Sequence, residues 1–524
     1  MKRKLFLLQI SALLGGLLSA LAWYPFFSGI VLLISFIPIF LLAATEVNEN
    51  GRFGDRIMFI RLLPGFAVFN IAALFWIRIV GLPLMIATLT LNTFLMTFTF
   101  WLAWVIKRKA GPVTGNAAFI VFWLSMEYLT NNISFLSPWL NLGNGFAGNT
   151  SLIQWYEYTG VAGGTLWILI TNMTGALIFQ KVFEKGSRRS ASLKITAFIS
   201  LIVIPVFLSF SIGKKTTESC QSPEEVLIVQ PCIDPYLEKF SLSVDEQVQK
   251  VIHLANNSIT DSTRWIVAPE TIIPVAIDLD SLDSNTYIKP FISFLANHTS
   301  ANLIVGAVTV SYEPERQIHN STILLSAEGT VAYGHKSKLV PGVESSFPGI
   351  ISFLQYLFPD LGGLSGGYTG QNSQENLVSS TTGTSAAPVV CFESAFGGYV
   401  AGFVRGGAGL VCIITNDGWL KGTLGYYQHL NFSNLRAIEN RRPVVRASNT
   451  GISAIIDIRG NITHSIKWWE EGTITASVVP EKRITFYTRY GDFIMRTALV
   501  ISIFILIIHL VAIPLRKRLD YKKN

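Results

Sequence analysis

The chain has 524 residues and a formal net charge of +8, and 50% of its residues are hydrophobic whereas only 14% are charged. Soluble domains carry about a quarter charged residues, so this composition excludes an entirely soluble protein and indicates that much of the chain lies in lipid. The basic residues lie beside apolar runs and form no stripe interleaved with aromatic residues, which argues against a nucleic-acid partner.

The cysteines give no sign of a metal site. They have no CxxC spacing and no metal-ligand pattern with histidine, and no glycine-rich phosphate loop of the usual spacing is present. We therefore expect no metal and no cofactor. The four cysteines are Cys220, Cys232, Cys391 and Cys412. The sequence leaves open whether the first two form a disulfide, which an oxidising compartment would permit.

Eight apolar runs have the length of a bilayer crossing, which requires about twenty residues. They lie at roughly 5–22, 26–44, 57–77, 83–106, 115–135, 161–183, 192–212 and 494–515. Basic residues gather in alternate loops and at both termini, so the positive-inside rule places the termini in the cytoplasm and the long segment after the seventh run outside. The sequence therefore predicts a bundle of seven helices over 1–212, an outer domain over 213–493, and a final helix with a basic tail over 494–524.

The predicted outer loop 136–149 contains Trp139 together with several leucines and turn-forming residues. Tryptophan is common at membrane interfaces, so an interfacial aromatic anchor is the slightly favoured interpretation. The functional alternative is that Trp139 and its loop line a groove through which lipid enters beneath the outer domain.

Residues 213–493 are more polar and contain short β-branched runs that predict strands. The predicted strands are Val226–Gln230, Trp265–Ala268, Leu303–Val310, Thr322–Ser326, Val331–Tyr333, Ala387–Val390, Leu410–Thr415, Val444–Ala447 and Ser453–Asp457. Helices are predicted at about 244–258, 286–298 and 426–441. Apolar strands alternating with helices predict an α/β layered fold with covered sheets. The Gly- and Ser-rich stretch 362–383 is predicted to be a lid.

Three predicted strands of this domain are followed by a reactive side chain. Glu270 follows the strand Trp265–Ala268, Lys336 and Lys338 follow Val331–Tyr333, and Cys391 follows Ala387–Val390. A cysteine thiol needs a base and a nearby positive charge to act as a nucleophile, and a lysine also stabilises the oxyanion of a tetrahedral intermediate. This set therefore predicts acyl transfer through a thioester.

The segments around these residues resemble the nitrilase superfamily. The matching motifs are Ala268-Pro269-Glu270-Thr271, Lys336 with Leu339-Val340-Pro341 and Glu344, Cys391-Phe392-Glu393, Asn416-Asp417-Gly418-Trp419, and Arg446-Ala447-Ser448-Asn449. With the apolar runs on both sides, the chain resembles the membrane-embedded branch of that superfamily, the apolipoprotein N-acyltransferases. The resemblance implies a multi-pass α-helical membrane bundle plus an α/β outer domain with the nitrilase-like α-β-β-α sandwich.

The resemblance also implies roles for individual residues. Glu270 is the expected general base, Lys336 the expected oxyanion stabiliser and Cys391 the expected nucleophile. Lys336 is preferred to Lys338 because Leu339 then matches the spacing of the family motif. The residues expected to support the site or bind substrate are Glu344, Glu393, Trp419 and Phe392, with Trp139 added from the outer loop.

By this resemblance, a phospholipid, with phosphatidylethanolamine as the typical donor, would acylate Cys391. The acyl chain would then pass to the α-amine of the diacylglyceryl-cysteine that begins an apolipoprotein. We expect a monomer in the inner membrane of a Gram-negative cell, with its catalytic domain in the periplasm.

Two alternative functions remain. One is a membrane-tethered amidase of the same superfamily, and the other is a transporter whose outer domain binds solute. The transporter is disfavoured because ionisable residues lie near the ends of the apolar runs, whereas transporters usually carry them inside the membrane.

Overall fold

The computed structural model describes residues 2–49, 54–185, 188–312, 315–345, 367–371 and 373–512. Residues 362–366 and 372 of the predicted lid, and the basic tail from residue 513 onwards, lie outside the described residues. The chain forms two compact units. The first comprises Met1–Phe75, Met85–Ser211 and Asp492–Asn524, and the second comprises Trp76–Leu84 and Ile212–Gly491.

The first unit is built from apolar helices. In chain order they are α1 (Lys2–Leu21), α2 (Leu32–Ser35), α3 (Ile37–Glu49), α4 (Gly54–Leu74), α5 (Leu82–Asn132), α6 (Tyr156–Thr159), α7 (Val161–Lys185) and α8 (Arg188–Lys215), followed at the C-terminus by the helix Phe493–Leu506. By length and composition, four stretches are able to cross a membrane, namely Arg56–Ile79, Leu82–Asn132, Val161–Gln180 and Lys194–Lys215. Shorter apolar helices are Gln9–Leu21, Gly29–Ala44 and Phe493–His509. Each predicted crossing therefore overlaps an apolar helix, and the count of eight crossings remains a prediction.

Helix α5 contains two of the predicted crossings, joined at a sharp break. Gly111 at the break has φ of 86°, which glycine adopts without strain, and Pro112 follows it. Four residues later, a Cβ on Gly115 would lie 2.1 Å from the Cβ of Lys107. The two arms of α5 thus approach so closely beside the break that no side chain fits at Gly115.

A buried carboxylate organises the loop between α5 and α6. Glu127 is 1% exposed and accepts hydrogen bonds from Trp123 Nε1 at 3.2 Å, from the backbone N of Leu142 at 2.8 Å and from Thr165 Oγ1 at 2.7 Å. Thr165 Oγ1 in turn accepts from the backbone N of Gly143 at 3.0 Å. Glu127 therefore links two helices of the first unit to the start of the loop segment Leu142–Phe146.

The second unit, in the described chain, contains thirteen strands and five helices. The strands are β1 (Glu224–Gln230), β2 (Thr263–Val267), β3 (Ile273–Asp278), β4 (Asn302–Ser311), β5 (Gln317–Ser326), β6 (Gly329–His335), β7 (Leu377–Val378), β8 (Ser385–Val390), β9 (Leu410–Thr415), β10 (Val444–Ser448), β11 (Ser453–Ile456), β12 (Ile462–Ile466) and β13 (Gly472–Val478). The helices are α9 (Val244–Asn256), α10 (Lys289–Ala296), α11 (Gly397–Arg405), α12 (Leu424–Asn440) and α13 (Phe486–Tyr490).

The strands form two sheets. One has the order β13-β1-β2-β4-β5-β6, with β3 also paired to β4, and the other has the order β12-β11-β10-β9-β8-β7. Strands β1, β2 and β4 are parallel to one another, as are β8, β9 and β10. Parallel strands place their carboxyl ends at the same edge of the sheet, where sites commonly form in layered α/β folds.

Successive residues of a strand point to opposite faces of its sheet and are buried in different hydrophobic cores. In β1, Leu227 packs into the core that contains residues of α9 and α10, whereas Ile228 packs into the core shared by the two sheets. In β9, Ile413 packs into the core that contains residues of α11 and α12, whereas Ile414 faces the first sheet. This period of two, with both faces apolar, gives four layers. The predicted α-β-β-α sandwich and the helical bundle are confirmed.

The nine predicted strands are all present, and the described chain adds four that were not predicted. Strand β12 is exposed over Ile462–Ser465, and β7 is only two residues long, so neither has the apolar signature of a buried strand. The short strand β3 alternates little in burial, and β13 begins with glycine. Helix α11 was missed as well because it opens with Gly397-Gly398, and glycine disfavours a helix interior.

We expect Glu127→Ala to lower the melting temperature of the detergent-purified protein by several degrees. The change leaves three buried donors without their acceptor, and each such group typically costs about 1–3 kcal/mol. Glu127→Gln should be milder, because an amide oxygen still accepts from Trp123 and Leu142. Thermal unfolding followed by tryptophan fluorescence measures both; equal melting temperatures for Glu127→Ala and the wild type would contradict the assignment of Glu127 as the anchor of this loop.

Candidate active site

Glu270 lies in the loop after β2, where the backbone is packed against β4. The backbone N of Gly306 donates to Pro269 O at 3.1 Å, and a Cβ at Gly306 would lie 2.6 Å from the Cα of Glu270 and 2.5 Å from the N of Thr271. Thr271 has φ of 55°, a left-handed conformation that non-glycine residues rarely adopt. The glycine therefore permits a close approach that fixes the backbone of Glu270.

The carboxylate of Glu270 is 7% exposed and has three hydrogen-bond donors. Its Oε1 accepts from Asn320 Nδ2 at 2.7 Å and from Lys336 Nζ at 3.3 Å, and its Oε2 accepts from the backbone N of Asn416 at 3.1 Å. These donors come from β5, from the end of β6 and from the end of β9. Both sheets thus hold the carboxylate in one orientation.

Lys336 lies between two carboxylates and is 1% exposed. Its Nζ is 2.7 Å from Glu344 Oε1 and 3.3 Å from Glu270 Oε1. Burial alone would lower the pKa of this lysine, but the two carboxylates raise it well above its ordinary value. The ammonium is therefore charged, and it has few ways to move because both partners are buried.

Glu344 is held by the turn that follows Lys336. Its Oε2 accepts from the backbone N of Val340 at 2.8 Å, and its Oε1 accepts from Asn320 Nδ2 at 3.1 Å. Gly342 inside the turn has φ of 75° and its backbone N donates to Ser345 O at 3.0 Å. This local closure places the Glu344 carboxylate beside the ammonium.

The rival lysine has a different environment. Lys338 Nζ lies 5.3 Å from the centre of the Phe396 ring, and burial lowers the pKa of this lysine while Glu393 opposes that shift. The structure therefore brings Lys336, and not Lys338, to the carboxylate of Glu270. Which lysine acts in catalysis stays a prediction from the sequence.

Cys391 directly follows β8 and has φ of 51°. Burial raises the pKa of its thiol, and the negative charge of Glu270 raises it further, whereas Lys336 lowers it. These shifts favour the thiol over the thiolate at neutral pH. Glu270 is the carboxylate with the largest electrostatic effect on this thiol.

Glu393 ties the nucleophile strand to the lysine segment. Its Oε1 accepts from the backbone N atoms of Ser337 at 2.6 Å and Lys338 at 3.1 Å, and its Oε2 accepts from the backbone N of Val390 at 2.9 Å. Burial raises the pKa of Glu393, and these backbone donors oppose that shift. The carboxylate thus holds together two chain segments that both end at the site.

The other sequence-predicted residues are placed as follows. Phe392 is buried and its ring lies 5.1 Å from that of Phe396. Trp419 is partly exposed just after β9, with its ring 5.2 Å from Tyr236. Trp139 belongs to the first unit, is 8% exposed, and its carbonyl accepts from Trp23 Nε1 at 3.3 Å. Both interpretations of Trp139, an interfacial anchor and a wall of a lipid groove, stay predictions.

Sequence reasoning missed two residues of the site. Asn320 donates to both carboxylates that flank Lys336, but it lies two residues before the predicted strand Thr322–Ser326. Tyr368 lies in the predicted lid; burial raises the pKa of its phenol, and Glu344 and Glu270 raise it further. The run His319-Asn320-Ser321 before an apolar strand was a usable signal for Asn320. In the part of the chain that the structure describes, no group of three or more His, Cys, Asp or Glu residues is arranged to hold a metal ion.

Two family models match the chain. Residues 226–486 match the carbon-nitrogen hydrolase family, and residues 15–174 match the apolipoprotein N-acyltransferase N-terminal domain. The first match contains Glu270, Lys336, Glu344, Cys391 and Glu393, and the second lies within the helical part of the chain. The two matches together extend over most of the sequence.

Known proteins resemble the chain over nearly its full length. An apolipoprotein N-acyltransferase from Chlorobaculum tepidum is 28% identical over 522 residues, with 93% of this chain and 96% of that protein covered. Another from Geobacter metallireducens is 27% identical over 505 residues, with 92% of this chain and 91% of that protein covered.

A solved structure is similar to about half of the chain. This amidase from Nesterenkonia sp. is 15% identical, with a TM-score of 0.37, and the match covers 54% of this chain and 98% of the amidase.

We expect Gly306→Ala to slow the reaction of Cys391 with iodoacetamide by at least tenfold, since displacing a catalytic group by about 1 Å can cost a hundredfold in rate. The new Cβ would push the Glu270 segment away from β4, whereas the rest of β4 is unchanged. Gly472→Ala on β13 is the matched control, because a Cβ there has no neighbour closer than 3.8 Å. Similar rates for the two variants would contradict the close approach at Gly306.

Proposed function

Because the chain belongs to the apolipoprotein N-acyltransferase family within the carbon-nitrogen hydrolase superfamily, we propose that Glu270, Lys336 and Cys391 perform its N-acyl transfer. The enzyme takes an acyl chain from a membrane phospholipid and passes it to an apolipoprotein. The observation that carries the assignment is the buried cluster in which Lys336 contacts both Glu270 and Glu344, with Cys391 within its electrostatic reach.

In the first half-reaction, Cys391 attacks the ester carbonyl of the phospholipid. Glu270 takes the thiol proton as the Sγ–carbon bond forms, because the raised pKa of the thiol disfavours a free thiolate beforehand. The ammonium of Lys336 stabilises the oxyanion of the tetrahedral intermediate. The carbon–oxygen bond then breaks, Glu270 returns the proton to the leaving alkoxide, and a lysophospholipid departs from the thioester.

In the second half-reaction, the amine of the acceptor attacks the thioester. Glu270 removes a proton from the attacking amine, and Lys336 again stabilises the oxyanion. The carbon–sulfur bond then breaks and Glu270 returns its proton to the sulfur, which regenerates the thiol of Cys391. Glu344 keeps Lys336 charged and in place through the 2.7 Å contact, and Glu393 maintains the approach of the lysine and cysteine segments. Phe392 and Trp419 supply apolar surface near the nucleophile.

The physical state of the substrates suits a membrane enzyme. Removing an acyl chain from the bilayer costs about 0.8 kcal/mol for each CH₂ group, so a site at the membrane avoids extracting its substrates. We propose phosphatidylethanolamine as donor, the diacylglyceryl-cysteine α-amine as acceptor, and a monomer whose catalytic unit is periplasmic and whose termini are cytoplasmic. Trp139 contributes to the lipid path in the helical unit. The tethered-amidase alternative is disfavoured because the N-terminal family match lies outside the hydrolase domain.

The direct test is intact mass spectrometry after the purified protein is incubated with phosphatidylethanolamine and no acceptor. We expect a mass gain of one acyl chain, which hydroxylamine removes because it cleaves thioesters. Cys391→Ser should show no hydroxylamine-labile adduct, since an ester to serine resists the same treatment.

Cys412→Ser is the matched control, because that thiol is fully buried between the sheets and its loss should leave the adduct intact. Free fatty acid without an adduct would instead indicate a lipid hydrolase. An adduct that survives in Cys391→Ser and is lost in Cys412→Ser would overturn the choice of nucleophile.

We expect Lys336→Ala to lower the rate of acyl transfer by about a hundredfold or more, the usual effect of removing one donor to an oxyanion. Lys338→Ala, only two residues away, should change the rate little because its ammonium lies beside Phe396 and contacts neither carboxylate of the cluster. Initial rates of adduct formation measure both, with thermal unfolding as a check on folding. A larger loss in Lys338→Ala than in Lys336→Ala would reverse the assignment.

A further inference from the structure

The backbone carbonyl of Cys391 is held by two side chains that the reaction scheme does not use. It accepts from Ser394 Oγ at 2.9 Å and lies 2.9 Å from His429 Nε2. His429 comes from α12, is 2% exposed, and its Nε2 is also 3.0 Å from Ser394 Oγ. A histidine from a distant helix thus contacts the main chain of the nucleophile itself.

The contact with the carbonyl decides which atom donates. A carbonyl oxygen only accepts, so the 2.9 Å contact between His429 Nε2 and the Cys391 carbonyl requires a hydrogen on that ring nitrogen. His429 Nε2 therefore donates to the Cys391 carbonyl, with Ser394 Oγ 3.0 Å from the same nitrogen.

The other side of the ring is held by a buried ion pair. Nδ1 of His429 lies 2.7 Å from Asp417 Oδ1, and Arg446 NH2 lies 2.6 Å from Asp417 Oδ2. Burial would raise the pKa of Asp417, but Arg446 and His429 hold it well below its ordinary range, so the group is a carboxylate. Arg446 NH2 also lies 3.2 Å from Nδ1 of His429, so Asp417 and Arg446 hold the ring on this side while the Cys391 carbonyl holds it at Nε2.

The contact acts where the backbone is strained. Cys391 has φ of 51°, which a residue with a Cβ adopts only when its surroundings impose it. The carbonyl group of Cys391 moves when the backbone rotates out of this conformation. Hydrogen bonds that hold the carbonyl therefore restrain that rotation. Glu393 restrains the chain on the other side of Cys391 through the backbone N of Val390.

We propose that His429 is a positioning residue for the nucleophile: oriented by Asp417 and Arg446, it holds the Cys391 carbonyl and so directs the thiol towards Glu270 and the ester carbonyl. This inference rests on the proposed role of Cys391. It assigns a function to the Asn416–Trp419 and Arg446–Asn449 motifs, because Asp417 and Arg446 belong to them. His429 touches neither substrate nor the reacting atoms, so its loss should lower kcat and leave KM for the phospholipid unchanged.

The test compares His429→Leu with His429→Gln. Leucine fills similar space without a donor, whereas the amide of glutamine presents an N–H at about the distance of Nε2. We expect His429→Leu to slow both acyl-adduct formation and iodoacetamide alkylation of Cys391 by about a hundredfold, as for a misplaced catalytic group. His429→Gln should restore most of both rates.

A structural control separates positioning from folding. Asn302→Ala removes a buried amide that bonds Ser379 and Ser380 and has no contact with the Cys391 segment. We expect it to lower the melting temperature while the alkylation rate of the folded protein stays at the wild-type value. If His429→Leu does not fold, His429→Asn replaces it, because the shorter amide reaches Asp417 and not the Cys391 carbonyl.

The outcomes distinguish the two proposals. If the wild type forms no hydroxylamine-labile adduct, the role of Cys391 fails and this inference fails with it. If the wild type forms the adduct and His429→Leu forms it as fast, only the positioning role of His429 fails. Equal losses in His429→Leu and His429→Gln, or a raised KM with unchanged kcat, also overturn that role.

Discussion

One ammonium shared by two buried carboxylates determines the geometry of the site. Glu270 comes from the loop after β2 and Glu344 from the turn after β6, and Lys336 contacts both at 3.3 and 2.7 Å. Removing one member of a buried ion pair is strongly destabilising because a charge is left without compensation. Asn320 donates to the same two oxygens, so the carboxylates share a second donor. The three charged groups are therefore coupled in position, which keeps the proposed base Glu270 and the proposed oxyanion stabiliser Lys336 at a constant separation.

The same charge balance controls when the proposed nucleophile forms. Burial raises the pKa of the Cys391 thiol, the negative charge of Glu270 raises it further, and Lys336 opposes that shift. A second buried lysine, Lys239, also interacts electrostatically with Glu270. Burial lowers the pKa of Lys239 to about 8, and the negative charge of Glu270 opposes that shift. Because thiols oxidise mainly as thiolates, a cysteine that stays protonated is protected from oxidation. In the proposed reaction, the thiolate therefore arises only as the ester carbonyl is attacked, and its charge passes to the oxyanion beside Lys336.

The parts of the site that follow from the sequence are those with a local pattern. Glu270, Lys336 and Cys391 each come within three residues of the end of a strand, so their placement at strand ends needed no knowledge of the sheet order. Asn320 lies inside β5, and only the register that pairs it with Val308 brings its amide to the carboxylates. Similarly, His429 is one of many buried residues on α12, and nothing local to that helix indicates that it meets Cys391. The grouping of Trp76–Leu84 with the second unit had no local signal either, because the segment separates two apolar runs.

Strain at two positions shows how the fold balances stability against orientation. Thr271 and Cys391 both have positive φ, next to the base and at the nucleophile, and a left-handed conformation costs a residue with a Cβ about 1–2 kcal/mol. Glycine would remove the strain at position 391, but it would also remove the thiol. The conformation is therefore maintained by bonds from elsewhere in the chain: Gly306 and the β4 backbone at the Glu270 loop, and Glu393 with His429 around Cys391. Because these bonds come from groups on three separate segments, loosening any one of them should affect the orientation of the reacting groups before it affects the overall fold.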